Sequence, residues 1–183
     1  MILETRRLIL RPWEARDAEP FAALNADPEV MRHFPRRLDR AGSDALIERM
    51  RAREARDGMT FHAAERRGDG AFLGMIGISY LDMPDTAVDG AVEIGWRLAR
   101  PFWGQGYATE GAEAWLTHAF AALDLPEIVS FTSQPNLRSQ AVMRRLGMRR
   151  DPARDFEHPG VPEGSPLRAH VTYALSRSDW LAR

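Results

Sequence analysis

The chain has 183 residues, enough to bury a core as a single domain, and carries a net charge of −1 with 28% charged residues. That balance offers no field to attract nucleic acid or an anionic membrane, and no apolar run approaches the length of about 18 residues needed to span a bilayer. Cysteine is absent, which excludes disulfides, thiolate zinc sites and a cysteine nucleophile, and all 25 basic residues are arginine. Met1 leads into a strand with no signal-peptide design, so a cytoplasmic protein is expected.

In chain order, Arg6 to Trp13 alternates apolar residues and reads as a first strand. Asp17 caps a short helix through Phe21 and Leu24, and Asp27-Pro28 predicts a second brief helix through Val30 and Met31. A longer helix runs from about Asp39 to Asp57, with Gly58 as its stop. Thr60–Glu65 and Ala71–Leu81 read as a hairpin around Arg67-Gly68-Asp69-Gly70, followed by a loop over Met83–Gly90.

Val92 to Phe120 reads as strand, glycine turn and helix. The helix shows its apolar face in Ala108, Ala112, Trp115, Leu116, Ala119, Phe120 and Leu123. A strand that enters a helix through Gly-x-Gly leaves backbone N–H groups unpaired at the helix's positive end, which suits an anion. The Walker pattern is excluded because no lysine is present. The dinucleotide fingerprint is excluded because Thr109 stands where a third glycine is required.

Glu127–Ser133 is a short β-rich run, and Asn136 caps a helix through Ala141, Met143 and Leu146 that Gly147 closes. A penultimate strand is predicted over Arg149–Phe156, a proline- and glycine-rich loop over His158–Pro166, and a last strand over Arg168–Leu175, with Trp180 sealing the end. About seven strands and four main helices follow. A meander and then a parallel crossover imply a single α+β domain, three layers deep, with helices on both faces of a mixed sheet.

Trp103-Gly104-Gln105-Gly106-Tyr107-Ala108 resembles the pyrophosphate loop of the GNAT acetyltransferases, usually Gln/Arg-x-x-Gly-x-Gly/Ala. Gly106 and Ala108 fill the small positions, and Trp103 stands where Gln or Arg is usual. Phe102 to Glu110 resembles the branch that contains the ribosomal-protein alanine N-acetyltransferases, and the likeness runs over nearly the whole chain. The resemblance implies a mixed, mostly antiparallel sheet split beside the central helix. It also implies acetyl-CoA as cosubstrate, no metal, and direct attack by an amine in a ternary complex. Trp103, Gly104, Gln105, Gly106, Tyr107, Ala108 and Thr109 would hold the pyrophosphate. The backbone of Trp96, Arg97 and Leu98 would meet the pantetheine arm as an added strand does.

Glu93 is the candidate base. Glutamate is intrinsically unfavourable in a strand, and the alternative is a solvent-facing residue paired with Arg97 on the same face. Asn136-Leu137-Arg138-Ser139 resembles the family's second cofactor segment, in which Asn136 binds the arm and Ser139 meets the sulfur. The plain alternative is helix capping. Arg100 and the cluster Arg144, Arg145, Arg149, Arg150 and Arg154 are each either phosphate ligands or solvated. Phe34 and Phe61 either wall the acceptor pocket or belong to the core. The five histidines lack metal-ligand spacing, and no Gly-x-Ser-x-Gly is present. The acceptor is expected to be a protein N-terminal α-amine; the alternatives are a small-molecule amine or antibiotic, or a non-catalytic acyl-CoA-binding regulator. Both a monomer and a homodimer fit this reading.

Overall fold

A computed structural model describes residues 1–183. Its centre is a sheet of nine strands, β1 (Leu3–Glu4), β2 (Leu8–Arg11), β3 (Phe61–Arg66), β4 (Phe72–Tyr80), β5 (Val92–Leu98), β6 (Glu127–Ser133), β7 (Arg149–Arg150), β8 (Phe156–Glu157) and β9 (Ala169–Ser176). The order across it is β1-β2-β3-β4-β5-β6-β9-β7, with β8 also paired to β9. Every pairing is antiparallel except β5 with β6. Five helices cover it, α1 (Ala18–Ala26), α2 (Arg40–Asp57), α3 (Tyr107–Ala121), α4 (Leu137–Arg145) and α5 (Arg177–Leu181). None is long and apolar enough to cross a membrane.

Strand alternation sorts the core into two layers. Ile76, Ile78, Ile94 and Ile128 meet Trp115, Leu116 and Phe120 of α3 and Met143 of α4 on one face. Ala63 and Met75 meet Phe21, Leu24, Ile47 and Met50 from α1 and α2 on the other. Each of the large side chains withdrawn from water contributes roughly 1.5–3 kcal/mol. The α2 ends are fixed as expected. Asp39 accepts from the Gly42 N–H at 2.8 Å, and Gly58 closes the helix at φ +73°. Trp180, on α5, packs on Phe120 with ring centroids 5.9 Å apart.

Three predictions change. The first strand is shorter than expected: it is β2, which ends at Arg11 because Pro12 brings no N–H, and β1 precedes it as an additional edge strand. The Asp27-Pro28 segment is a turn, closed by one Met31 N–H to Asp27 C=O bond of 3.0 Å, and Pro35 prevents it from growing into a helix. The penultimate strand is broken into β7 and β8 around a 3-10 turn at Pro152–Arg154. There the ladder passes to side chains: Asp155 Oδ1 accepts from the Thr172 N–H at 2.9 Å, and Thr172 Oγ1 donates to the Arg154 C=O at 2.7 Å.

A buried ionic cluster joins β2, β3 and the entry to α1. Arg11 donates to Asp17 at 2.8 and 2.9 Å and to Glu65 at 2.9 and 2.8 Å. Asp17 also accepts from the Glu14 N–H at 2.8 Å, so one carboxylate both caps the turn and neutralises the arginine.

Candidate active site

β5 and β6 pair at a single position, Glu93 opposite Val129, and then part. Ser130 Oγ donates to the Ile94 C=O at 2.8 Å across the fork. Beyond that bond lies a cleft of about 1190 Å³ that runs from the glycine turn to the loop after β8. β5 stays paired with β4, and β6 with β9, so each strand keeps one open edge toward the cleft. The Ala99 N–H bonds the Leu73 C=O, so alternation turns the peptide groups of Gly95 and Arg97 to β4 and those of Trp96 and Leu98 to the cleft. Trp103 Nε1 occupies the Leu98 C=O at 2.7 Å. The Trp96 peptide and the Leu98 N–H therefore form an open strand edge, while Arg97 reaches the cleft by its side chain.

At the turn, Gly104 and Gly106 take φ of +73° and +82°, and Gly106 is the N-cap of α3. The first helical bond runs from the Glu110 N–H to the Gly106 C=O, and the six N–H groups from Gly104 to Thr109 have no acceptor within the chain. Arg7 steadies this arrangement from the β1–β2 turn. It donates to the Gln105 C=O at 3.0 Å and to Glu110 at 2.6 Å, and lies over the Tyr107 ring at 4.5 Å. Burial alone would raise the Glu110 carboxyl, but hydrogen bonds from Thr5 and Arg7 outweigh it and hold the group below its ordinary value. Trp103 supplies no charge where the family usually has Gln or Arg, but Arg138 from α4 stacks on its ring at 4.9 Å and brings a cation to that place. Six free donors, no Cβ on either glycine and a nearby arginine suit a pyrophosphate. A side chain at Gly106 would strain the left-handed backbone by roughly 1–2 kcal/mol. Gly106→Ala is therefore expected to weaken binding of a pyrophosphate-bearing ligand about tenfold by titration calorimetry.

Glu93 stands where the strands fork. It is half-buried, accepts no hydrogen bond from the protein, and burial pushes its carboxyl up to about 7, against a weaker opposing pull from Arg53. It does not pair with Arg97. That guanidinium bonds Asn25 Oδ1 at 2.6 Å and lies over Phe34 at 4.1 Å. Phe61 is held by Trp13, whose Nε1 donates to the Phe61 C=O at 2.8 Å. Its ring lies against Gly95, where a Cβ would come within 3.0 Å of it. Phe34, Phe61, Glu93 and Arg97 thus form one wall, on the side of α1 and α2.

Just past the end of β6, Asn136 caps α4 by accepting from the Ser139 N–H at 3.3 Å and donates to Thr132 at 2.9 Å. Ser139 is half-buried on the cleft wall, with no hydrogen bond on its hydroxyl. The cleft brings together every predicted site residue except Gln105, whose side chain turns outward to the Pro101 C=O at 2.7 Å. Arg100 lies beside Asp27 and Pro101, outside the cleft. Within the arginine cluster, Arg149, Arg150 and Arg154 pair with Asp179, Asp155 and Glu127 respectively, and Arg145 alone lines the cleft.

Phe131 and His170 were not singled out from sequence, yet with His158, at the head of the proline- and glycine-rich loop, they close the far end of the cleft. The His158 and His170 rings lie 4.8 Å apart, and burial lowers the pKa of both. Only the β8–β9 pairing and the following loop bring them together, which local pattern does not reveal.

A mixed sheet split beside a glycine-opened helix sets an anion-binding turn at one end of the cleft and an unpaired carboxyl at the fork. Residues 7–149 match the family described as "Acetyltransferase (GNAT) domain", and the chain belongs to this family. It is 29% identical to the FsC-acetyl coenzyme A-N(2)-transacetylase of Aspergillus fumigatus, over 98% of this chain and 77% of that one. It is 31% identical to YdaF of Bacillus subtilis, provisionally named a ribosomal N-acetyltransferase, over 61% of this chain and 57% of that one. A GNAT-family acetyltransferase structure from Bacillus anthracis superposes with a TM-score of 0.79 at 23% identity, covering 97% and 99% of the two chains. The fold is thus the GNAT α+β fold, with nine strands and five helices in place of the expected seven and four.

Proposed function

We propose that this acetyltransferase modifies an α-amine, most naturally a peptide or protein N-terminus, with Glu93 as base and Ser139 as proton donor. The carrying observation is the unpaired Glu93 carboxyl at the fork, with its pKa raised to about 7. A free α-amine has a pKa near ~8 and a lysine amine near ~10.4. Moving the proton to such a base costs roughly 1.4 kcal/mol for the first and roughly 4.6 for the second, which favours the α-amine.

In this reading the N–H groups of Gly104 to Thr109 grip the pyrophosphate of acetyl-CoA, and the Trp96 and Leu98 edge pairs with its arm. Acetyl-CoA supplies the thioester. Glu93 takes the amine proton directly or through water as the amine attacks and later gives it up to solvent, and Ser139 passes a proton to the departing sulfur and recovers one from solvent. A thiol has a pKa near ~8.5, so its anion leaves readily and the donor is worth less than the base. Ser139→Ala is expected to lower kcat about tenfold with acetyl-CoA affinity unchanged, measured by single-turnover kinetics.

A second reading, a small-molecule amine acceptor, is favoured by the A. fumigatus relative, whose name specifies an N(2) transacetylase. Release of free CoA from acetyl-CoA, measured with peptides beginning Ala, Ser or Met beside polyamines, amino sugars and single amino acids, separates the two. Turnover confined to the small amines would overturn the N-terminal assignment.

A further inference from the structure

Arg97, Arg138 and Arg145 line the cleft without a counterion, and of these Arg97 alone has a buried guanidinium nitrogen with no partner. Its side chain forms no ion pair, and its one hydrogen bond goes to the neutral amide of Asn25 at 2.6 Å. Nε is buried and has no acceptor. Desolvation, unopposed by any carboxylate, lowers its pKa to about 10, so the group stays charged at neutral pH. Such a charge is costly to hold unpaired, and a guanidinium fork fits a carboxylate in two parallel hydrogen bonds. The neighbourhood fixes the fork without neutralising it: Phe34 lies under its plane at 4.1 Å, and Asn25 holds one nitrogen.

Strand parity decides which molecule the fork faces. Arg97 shares a face of β5 with Glu93 and Gly95, the face covered by Asn25 of α1 and by Phe61. The glycine turn and Arg138 serve the other side, where α3 and α4 pack. The acceptor, rather than the phosphates of the cosubstrate, therefore meets this group. From Glu93 to Arg97 is four residues, about 13 Å along a strand. An extended peptide advances about 3.3 Å per residue, and a glutamate side chain adds a few more. With its amine at Glu93, such a peptide carries its third side chain to the reach of the Arg97 fork.

We propose that Arg97 is an acceptor-selecting residue that binds a carboxylate near the third position of an N-terminal peptide. This deepens the N-terminal reading and rests on it. The acceptor class is then an α-amine followed by an acidic residue, which single amino acids and polyamines cannot reproduce.

The test uses Ala-Ala-Glu-Ala and Ala-Ala-Gln-Ala, both amidated at the C-terminus so that they differ by one carboxylate. The wild-type protein is expected to prefer the Glu peptide about tenfold in kcat/KM, with the difference carried by KM. In Arg97→Gln the ratio falls to within about twofold. Arg97→Lys keeps the charge and part of the preference, and secures the comparison if Arg97→Gln folds poorly. Equal use of both peptides by the wild type, or a preference that survives in Arg97→Gln, overturns the carboxylate site alone. Acetyl-CoA binding without acetylation of either peptide overturns the N-terminal reading and this inference with it.

Discussion

Glu93→Gln is expected to lower kcat by ~10²-fold while leaving acetyl-CoA affinity unchanged, because the amide keeps the shape of the side chain and removes its basicity. The wild-type rate should rise with pH through about 7, where the carboxyl ionises, and the variant should lose that step. Stability provides a second, independent readout. The folded carboxyl titrates at about 7 and an ordinary glutamate at 4.5, so between those values the unfolded chain gives up its proton while the folded one keeps it. Wild-type stability therefore falls as pH rises through that window, by at most roughly 3 kcal/mol, and levels off above 7. The Gln variant carries no such titration, so its Tm should match the wild type near pH 4 and exceed it at pH 8. A variant slower by a hundredfold yet more stable at pH 8 identifies a carboxyl held at a cost for chemistry. Full activity in Glu93→Gln would remove Glu93 from the mechanism.

Sequence pattern reached the parts of this molecule that are set by local chemistry. Gly104 and Gly106 announce a backbone turn that only glycine takes easily, and α3 repeats its apolar residues at the helical period, so turn and helix were readable together. Asn136 announced its helix through capping, and its side chain does cap α4. Longer-range geometry was hidden. Glu93 and Arg97 share a strand face, which invites an ion pair, but four residues of extended chain keep them too far apart to meet, and Arg97 turns to Asn25 instead. His158 and His170 lie twelve residues apart and become neighbours only because β8 folds back on β9. The broken β7–β8 segment failed for a local reason: Pro152 interrupts a run whose flanks otherwise read as strand.

Asp17→Ala is expected to be the most destabilising of these substitutions, although Asp17 lies outside the cleft. Asp17 is 1% exposed and meets both terminal nitrogens of Arg11, whose side chain is 7% exposed. Removing the carboxylate leaves the guanidinium buried with Glu65 on its other edge, and also strips the Glu14 N–H of its acceptor at the entry to α1. Breaking a buried pair on one side costs about 3–5 kcal/mol, and the surviving Glu65 contact places this case near 3. For a chain of this length that corresponds to a fall in Tm of about 6–12 °C. The exposed pair Arg40–Asp44 is the control: both side chains lie largely in water, and Asp44→Ala should shift stability by no more than about 0.5 kcal/mol. Because the cluster joins β2 to β3 rather than β5 to β6, kcat/KM at low temperature should be unchanged in Asp17→Ala. A fall in Tm equal to that of the control would mean that Arg11 re-solvates easily, and that the cluster is not what holds β2, β3 and the start of α1 together.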